Sequence, residues 1–272
     1  MTTDSFKVQK VQHSIIPRLL TVTRISELSP AMRRITFTGE NLAGFLSASF
    51  DDHVKLLLPE VQGEKPNIPV VGEKGLEFDE SRPKPLMRDY TPRRYDPVAN
   101  ELDIDFVLHH EGPATEWATK AEVGHYLGIA GPRGSFIIPT VFDWHLLIGD
   151  ETSIPAIGRR LEELPQEAKA IVIIKTNNEN AQIELSGQCR FEVQWLSQAG
   201  AAGGDAGALE AAVRAASLPE EGEGYVWAAG EYNEIKAVRQ YLVNERGIDK
   251  SRIRAASYWR KAVANVHENF VD

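Results

Sequence analysis

The chain has a single cysteine, Cys189, among 272 residues, so it can hold no internal disulfide framework and no zinc or iron–sulfur centre built from thiolates. That thiol, in the stretch GQCRFEV, reads as a small semi-buried apolar residue, the usual role of an unpaired cysteine. No apolar run approaches the roughly 18 residues that a membrane span requires. The N-terminal stretch MTTDSFKVQKVQHSII has no apolar signal core, and the expectation is a cytoplasmic protein, a monomer without membrane insertion. Basic residues are also in deficit: 30 Lys and Arg against 39 Asp and Glu give a net charge of −9. That balance excludes a general nucleic-acid binder, whose affinity depends on many clustered phosphate contacts. An anionic ligand would have to be met by local positive charge.

What the chain does have is enough apolar residue, 42%, to bury a sizeable core, and a length that suits two domains. Residues 18–25, 32–39, 53–59 and 101–110 read as short strands separated by turn chemistry. The last of these alternates, with Leu102, Ile104, Phe106 and Leu108 on one face and Asp103 and Asp105 on the other. That pattern predicts an antiparallel barrel. Residues 60–85 are rich in Pro, Gly and charge and read as a long surface excursion.

From residue 143 the rhythm changes. Residues 144–150, 170–176, 191–196, 224–230 and 253–259 are short apolar runs of the fully buried kind. Helical patterns come after the first and fourth: residues 152–164, with Ile157, Leu161 and Leu164 on one face and Asp150 or Thr152 as N-cap, and residues 233–246, with Ile235, Val238 and Leu242, ending at Gly247. A third helix is predicted over 207–217. Alternating strand and helix predicts a parallel α/β sheet.

Local positive charge is found in one place above all. From Ser81 to Arg94 there are five basic residues against the single acid Asp89, ending in RDYTPRRYD. Alternation along a strand puts Arg88 and Tyr90 on one face, where an arginine can fork onto a pyrophosphate and a tyrosine can stack on a flat ring, with Thr91 in reach of the ring's polar edge. Downstream, FVLHHEGPATEWATKA ends a strand at His109 and opens a helix near Pro113. The Ala114 and Thr115 amides and the Thr115 hydroxyl stand at its N-terminus, a natural anion site. IAGPRGSF then supplies a turn that lets backbone pass close to a ligand. Arg93 reads as a second phosphate or substrate contact and Arg94 as structural.

A β-barrel with a parallel α/β domain after it is an arrangement used by flavin reductases, and RDYT resembles the Arg-x-Tyr-Ser/Thr pattern of the ferredoxin-reductase-like flavoproteins. With DDHVKLLLP, DFVLHHEGPATEWA, AGPRGSF, LLIGDETSIPAIGRRLEELP, YVWAAGEYNEIKAVRQYL and ASYWRKA, the chain resembles the siderophore-interacting protein family over nearly its whole length. The resemblance implies a six-stranded antiparallel FAD-binding barrel over 1–141 and a Rossmann-like parallel α/β reductase-type domain with a C-terminal extension over 142–272. It further implies a ferric-siderophore reductase that draws on NADH, NADPH or reduced ferredoxin through FAD. By position, Arg88, Tyr90, Thr91, His109, Ala114 and Thr115 match the flavin-binding segments, and Asp150, Glu151 and Thr152 match the loop that meets the adenine half. Lys55, Arg133 and Lys261 match the basic residues that hold the anionic siderophore. No residue is expected to bind metal or to act as a catalytic side chain beside the flavin. Two other readings stand next to it: a general flavin reductase with a protein acceptor, and a non-catalytic siderophore-binding protein. The chain departs from the wider superfamily in having GDETSIPA and AAGEY in place of a Gly-rich loop and a Cys-Gly-Pro. The tail reads SYWRKA where the family has Gly-Tyr-Trp, and the segment after Lys261 either covers the flavin or packs as a terminal helix.

Overall fold

The computed structural model describes residues 3–73, 75–108, 112–177, 179–197, 207–261 and 268–270. The chain divides into two compact units, one formed by residues 8–138 and the other by residues 139–272 together with residues 1–7.

In the first unit the strands are β1 (Gln9–Gln12), β2 (Pro17–Ser29), β3 (Met32–Thr38), β4 (Val54–Leu58), β5 (Val70–Gly72), β6 (Gly75–Glu77), β7 (Leu86–Tyr90), β8 (Pro92–Asp96), β9 (Glu101–Val107), β10 (Tyr126–Ala130) and β11 (Gly134–Ile137), with one helix, α1 (Pro113–Thr119). Seven of them form one antiparallel sheet in the order β7-β4-β10-β2-β3-β9-β8. Its two edge strands are consecutive in the chain and separated only by Thr91. The expected count of six thus becomes seven, because the run over 86–96 breaks at Thr91 and its halves pair with opposite edges, β7 with β4 and β8 with β9. β5 and β6 form a separate hairpin inside the long excursion, and β1 pairs with β11.

The period-2 pattern decides which side is buried. Leu102, Ile104 and Phe106 of β9 pack with Ile35, Phe37, Val54, Leu56, Leu127 and Ile129 in one apolar cluster, joined by Trp117 from α1. The opposite face of β9 is not solvated as alternation alone suggests. Asp103 and Asp105 are only 3% exposed each, because arginines from β3 and β8 lie across them.

The second unit contains β12 (Trp144–Asp150), α2 (Ile154–Glu163), β13 (Lys169–Thr176), β14 (Arg190–Ser197), α3 (Ala208–Ala215), β15 (Gly224–Glu231), α4 (Tyr232–Asn244), β16 (Ile253–Trp259) and β17 (Glu268–Asn269). The sheet order is β14-β13-β12-β15-β16-β17, parallel throughout except for β17, which runs antiparallel to β16. A terminal helix is therefore not what residues 268–269 form: they return as an edge strand, Asn269 opposite Ala256, and Phe270 packs its ring 5.2 Å from Tyr232. The helical faces read from the sequence are buried, with Ile157, Leu161, Ile235, Val238 and Leu242 all at 0% exposure. Cys189 is buried, which raises its thiol above the ordinary range and keeps it unreactive.

One buried polar group in this unit sets an acid limit on stability. His145, on β12, is 1% exposed, and its Nε2 has no hydrogen-bond partner among the described residues. Burial, helped by the nearby Arg160 guanidinium, pushes its pKa down to about 2. The folded protein thus holds this ring neutral, while an unfolded chain protonates it below about pH 6.5. Stability from this group is complete above pH 6.5 and falls by about 1.4 kcal/mol per pH unit below it, a loss of about 2 kcal/mol by pH 5. Urea denaturation at pH 7 and pH 5 should show that slope, and His145→Phe should remove it. An unchanged slope in the variant would assign the acid sensitivity elsewhere.

Candidate functional site

β7 and β4 fix the opening motif. Arg88 lies opposite Leu56 and Tyr90 opposite Val54, so both share the face of the apolar cluster, while Asp89 and Lys55 point the other way. Tyr90 packs its ring 4.8 Å from Phe106, and burial holds its hydroxyl well above the usual phenol range, so it stays protonated. Arg88 is partly buried and donates to the Met87 carbonyl at 2.8 Å. Thr91, 7% exposed, is the one-residue link between β7 and β8.

The helix expected near Pro113 is α1. Pro113 stands in its first turn, Gly112 precedes it at φ +156°, and among the described residues no side chain caps its amides. Among the described residues, a Cβ on Gly112 would meet nothing within 4 Å. The Thr115 hydroxyl differs from its expected role: it donates to the Val107 carbonyl at 3.1 Å, pinning α1 to β9, and leaves the backbone amides to meet an anion. Ala114 is buried beneath them. His109 lies outside the described residues. The backbone amides at this helix start and the half-buried Arg88 on its strand are donors suited to the pyrophosphate of FAD.

Lys55 and Arg133 stand near one another at the end of β10: Lys55 pairs in register with Ala130, three residues before Arg133. Arg133 is exposed in the turn after β10, and Arg18, itself 3% exposed, fastens that turn through the Gly131 carbonyl. Lys55 Nζ donates to Asp89 at 2.8 Å in an exposed pair. Such a pair is worth at most about 1 kcal/mol and yields readily to a competing anion. Lys261 is exposed and belongs to the second unit.

Arg93 is mostly buried. Its Nε lies 3.9 Å from Asp105 on the outer face of the barrel sheet, where Arg34 also forks onto Asp105 at 2.7 and 2.9 Å. Arg94 is structural as read, donating to Asp103 at 2.8 Å.

In the second unit the order of strands reverses between β12 and β15, and in open parallel sheets the crevice outside the carboxyl ends at such a point is where ligands bind. Asp150 and Glu231 end those two strands. Asp150 is 5% exposed, and its carboxylate is consumed: it accepts from Thr152 N at 2.9 Å, Glu231 N at 2.9 Å and Trp259 Nε1 at 2.8 Å. Glu151 is likewise buried and accepts from the Asn177 amide at 2.6 Å. Both acids thus shape the loop, and the half-buried Thr152 and the loop backbone are what it presents. The glycines are required here. A Cβ on Gly149 would run into Ser153 and the Ala229 carbonyl, and Gly230, at φ +154°, lies where a Cβ would sit 2.6 Å from Asp150.

Several residues at this edge escaped the sequence reading. Glu231 caps α4 by accepting from Asn233 N and Glu234 N at 2.7 and 3.1 Å, and Lys175, at the end of β13, is ion-paired with Glu234. The available signal was positional, since each polar residue comes directly after a buried apolar run.

Residues 21–136 match the model of the siderophore-interacting FAD-binding domain, and residues 142–262 match that of the siderophore-interacting protein. The chain is 36% identical to the NADPH-dependent ferric-chelate reductase of Escherichia coli over 256 residues, covering 92% of this chain and 96% of that protein. It is 33% identical to the ferric vibriobactin reductase ViuB of Vibrio cholerae over 253 residues, covering 91% and 90%. Among solved structures, a siderophore utilization protein from T. fusca aligns with a TM-score of 0.86 at 36% identity, covering 96% of this chain and 98% of that one. An FAD-binding β unit and then a parallel α/β unit, matched over almost the full length of these relatives, make this chain a member of the siderophore-interacting protein family.

Proposed function

We propose that this protein is an FAD-dependent ferric-siderophore reductase that reduces chelated Fe(III) to Fe(II) and so releases the iron. The observation that carries the reading is the full-length likeness to ferric-chelate and ferric vibriobactin reductases, together with an arginine, a tyrosine and an uncapped helix start in the barrel unit. FAD supplies the chemistry: it accepts a hydride and passes electrons on singly. The chain's own residues bind and orient. Arg88 and the Ala114 and Thr115 amides meet the pyrophosphate, Tyr90 and Thr91 meet the ring with His109 nearby, and the Asp150–Thr152 loop meets the adenine half. The barrel counts as six strands if residues 86–96 are taken as one bent strand, with the domain boundary at 141/142.

Hard oxygen ligands hold Fe(III) far more tightly than Fe(II), so reduction alone loosens the chelate and the protein needs no iron ligand of its own. Its task is to attract an anionic chelate, and Lys55, Arg133 and Lys261 are assigned to it within an acidic surface. NADPH is the favoured donor, as in the Escherichia coli relative, with NADH and reduced ferredoxin as alternatives. The protein acts as a cytoplasmic monomer.

Alanine at Lys55, Arg133 and Lys261 together should raise the KM for an anionic ferric siderophore by about 10- to 100-fold, since each charge is worth roughly 0.5–1 kcal/mol at an exposed site. Reduction of a small neutral acceptor should be unchanged. Equal losses on both acceptors would turn the assignment toward a protein acceptor, and a purified protein that cannot be loaded with FAD would end it.

A further inference from the structure

Three residues far apart in the chain meet in a hydrogen-bonded line that the flavin and siderophore assignments do not use. His13 Nε2 lies 2.7 Å from Ser135 Oγ, and Ser135 Oγ lies 2.7 Å from Asp52 Oδ2. Asp52 and Ser135 are 3% and 5% exposed, whereas His13 is partly open to solvent. The Ala48 amide also donates to Ser135 Oγ at 3.3 Å, and Asp52 Oδ2 further accepts from Ser47 Oγ at 3.0 Å and from Ser49 N at 3.1 Å. All three bonds that Asp52 accepts end on one carboxylate oxygen. Among the described residues nothing hydrogen-bonds Asp52 Oδ1, in a carboxyl group that is otherwise buried.

A hydroxyl donates one hydrogen and accepts on two lone pairs, so Ser135 can donate to Asp52 while accepting from His13, or the reverse, with no heavy atom moving. Burial, reinforced by the adjacent Asp51, holds the Asp52 carboxyl above the ordinary carboxylate range, against the hydrogen bonds from Ser135, Ser49 and Ser47. Asp51 is the charged group that bears on Asp52 directly, and His13 is the titratable group at the far end of the line. Imidazole is the side chain suited to trade protons with water near neutral pH. The place also fits. Asp52 stands two residues before Val54, and Val54 is the register partner of Tyr90, next to Thr91.

We propose that Asp52, Ser135 and His13 form a proton relay between the flavin side of the barrel and solvent. This rests on the proposed flavin site. Reoxidation of an anionic reduced flavin by two one-electron acceptors releases one proton with its two electrons, and that proton needs an outlet. Asp52 takes it on Oδ1 and gives the hydrogen on Oδ2 to Ser135 Oγ. Ser135 passes its own hydrogen to His13 Nε2, and His13 releases a proton from Nδ1 to water. Rotation of the carboxyl group, reversal of the Ser135 hydroxyl and return of His13 to its Nδ1–H tautomer by proton exchange with water restore the starting state.

Two measurements test this. In protein without added cofactor, the imidazole nitrogens of His13 tracked by NMR against pH should show two inflections, the second reporting Asp52, and Asp52→Asn or Ser135→Ala should remove the second. In FAD-loaded protein, Ser135→Ala should slow reoxidation by a ferric chelate about tenfold, below the roughly 10²–10⁴-fold usual for general acid–base groups because water can partly substitute. FAD affinity should stay at the wild-type value while the unfolding midpoint falls modestly for the lost buried hydroxyl, and Ser135→Thr, which keeps a hydroxyl, should recover the rate. If Ser135→Ala does not fold, His13→Gln at the open end carries the same expectation. A single His13 inflection that Asp52→Asn leaves unchanged overturns the relay, as does a wild-type reoxidation rate in the variants. A rate loss that only tracks lost FAD overturns it too, and makes Ser135 a pin for the β1–β11 pair. A protein that takes up no FAD at all overturns the flavin reading itself, whatever the titration shows.

Discussion

Arg88→Ala is expected to weaken FAD binding about 100-fold. A guanidinium that forks onto a pyrophosphate makes charge-assisted hydrogen bonds worth about 1.5–3 kcal/mol each, and about 2.7 kcal/mol corresponds to that factor. Arg88 is suited to this because β7 is an edge strand and because the side chain is only partly buried. Its cross-strand neighbour, Leu56, is fully buried, so the backbone position does not depend on the arginine head group. Arg88→Lys keeps the charge and loses the fork, and should fall between the two, about tenfold down. Titration of apo protein with FAD, monitored by flavin fluorescence, gives the numbers. Wild-type affinity in Arg88→Ala would remove Arg88 from the pyrophosphate site. Tyr90 is a less direct probe, because truncating it also opens a void against Phe106.

Asp105→Ala should cost the barrel unit about 3 kcal/mol. The Asp105 side chain is 1% exposed and receives both arms of Arg34, with Arg93 at 3.9 Å, so its removal takes a bidentate partner from Arg34 and leaves a buried gap. Breaking a buried pair from one side typically costs about 3–5 kcal/mol, and the lower end applies because Arg34 is a quarter exposed and can turn toward water. The exposed Arg24–Glu101 pair on the same sheet provides the contrast: Glu101→Gln should change stability by less than about 1 kcal/mol. Chemical denaturation monitored in the barrel unit measures both. A cost below about 1 kcal/mol at Asp105 would mean that the outer face of β9 is hydrated after all.

Much of this protein is legible along the chain wherever the deciding interaction is local. The alternation of Leu102, Ile104 and Phe106 selects the buried face of β9, and the apolar runs from Trp144 onward are strands of a parallel sheet with helices at the expected places. The shared face of Arg88 and Tyr90 comes from the strand repeat alone. Gly230, at φ +154° behind an apolar strand, is a position where backbone close approach already favours glycine.

Other features depend on partners that sequence distance conceals. Asp103 and Asp105 alternate outward as solvent-facing residues should, and they are buried because β3 and β8 bring Arg34, Arg93 and Arg94 over them. Asp150 looks like a ligand-facing acid at the head of a loop, yet three neighbouring segments have already taken its lone pairs. The line from His13 through Ser135 to Asp52 spans 122 positions and has no sequence pattern. The sequence by itself determined the change from antiparallel to parallel strands and the buried faces of strands and helices, because periodicity and turn chemistry act over a few residues, and its motifs carried the flavoprotein resemblance. Only the tertiary structure decided which polar side chains are consumed inside the fold and which remain available, because hydrogen-bond capacity is settled by the neighbours that pairing and packing supply.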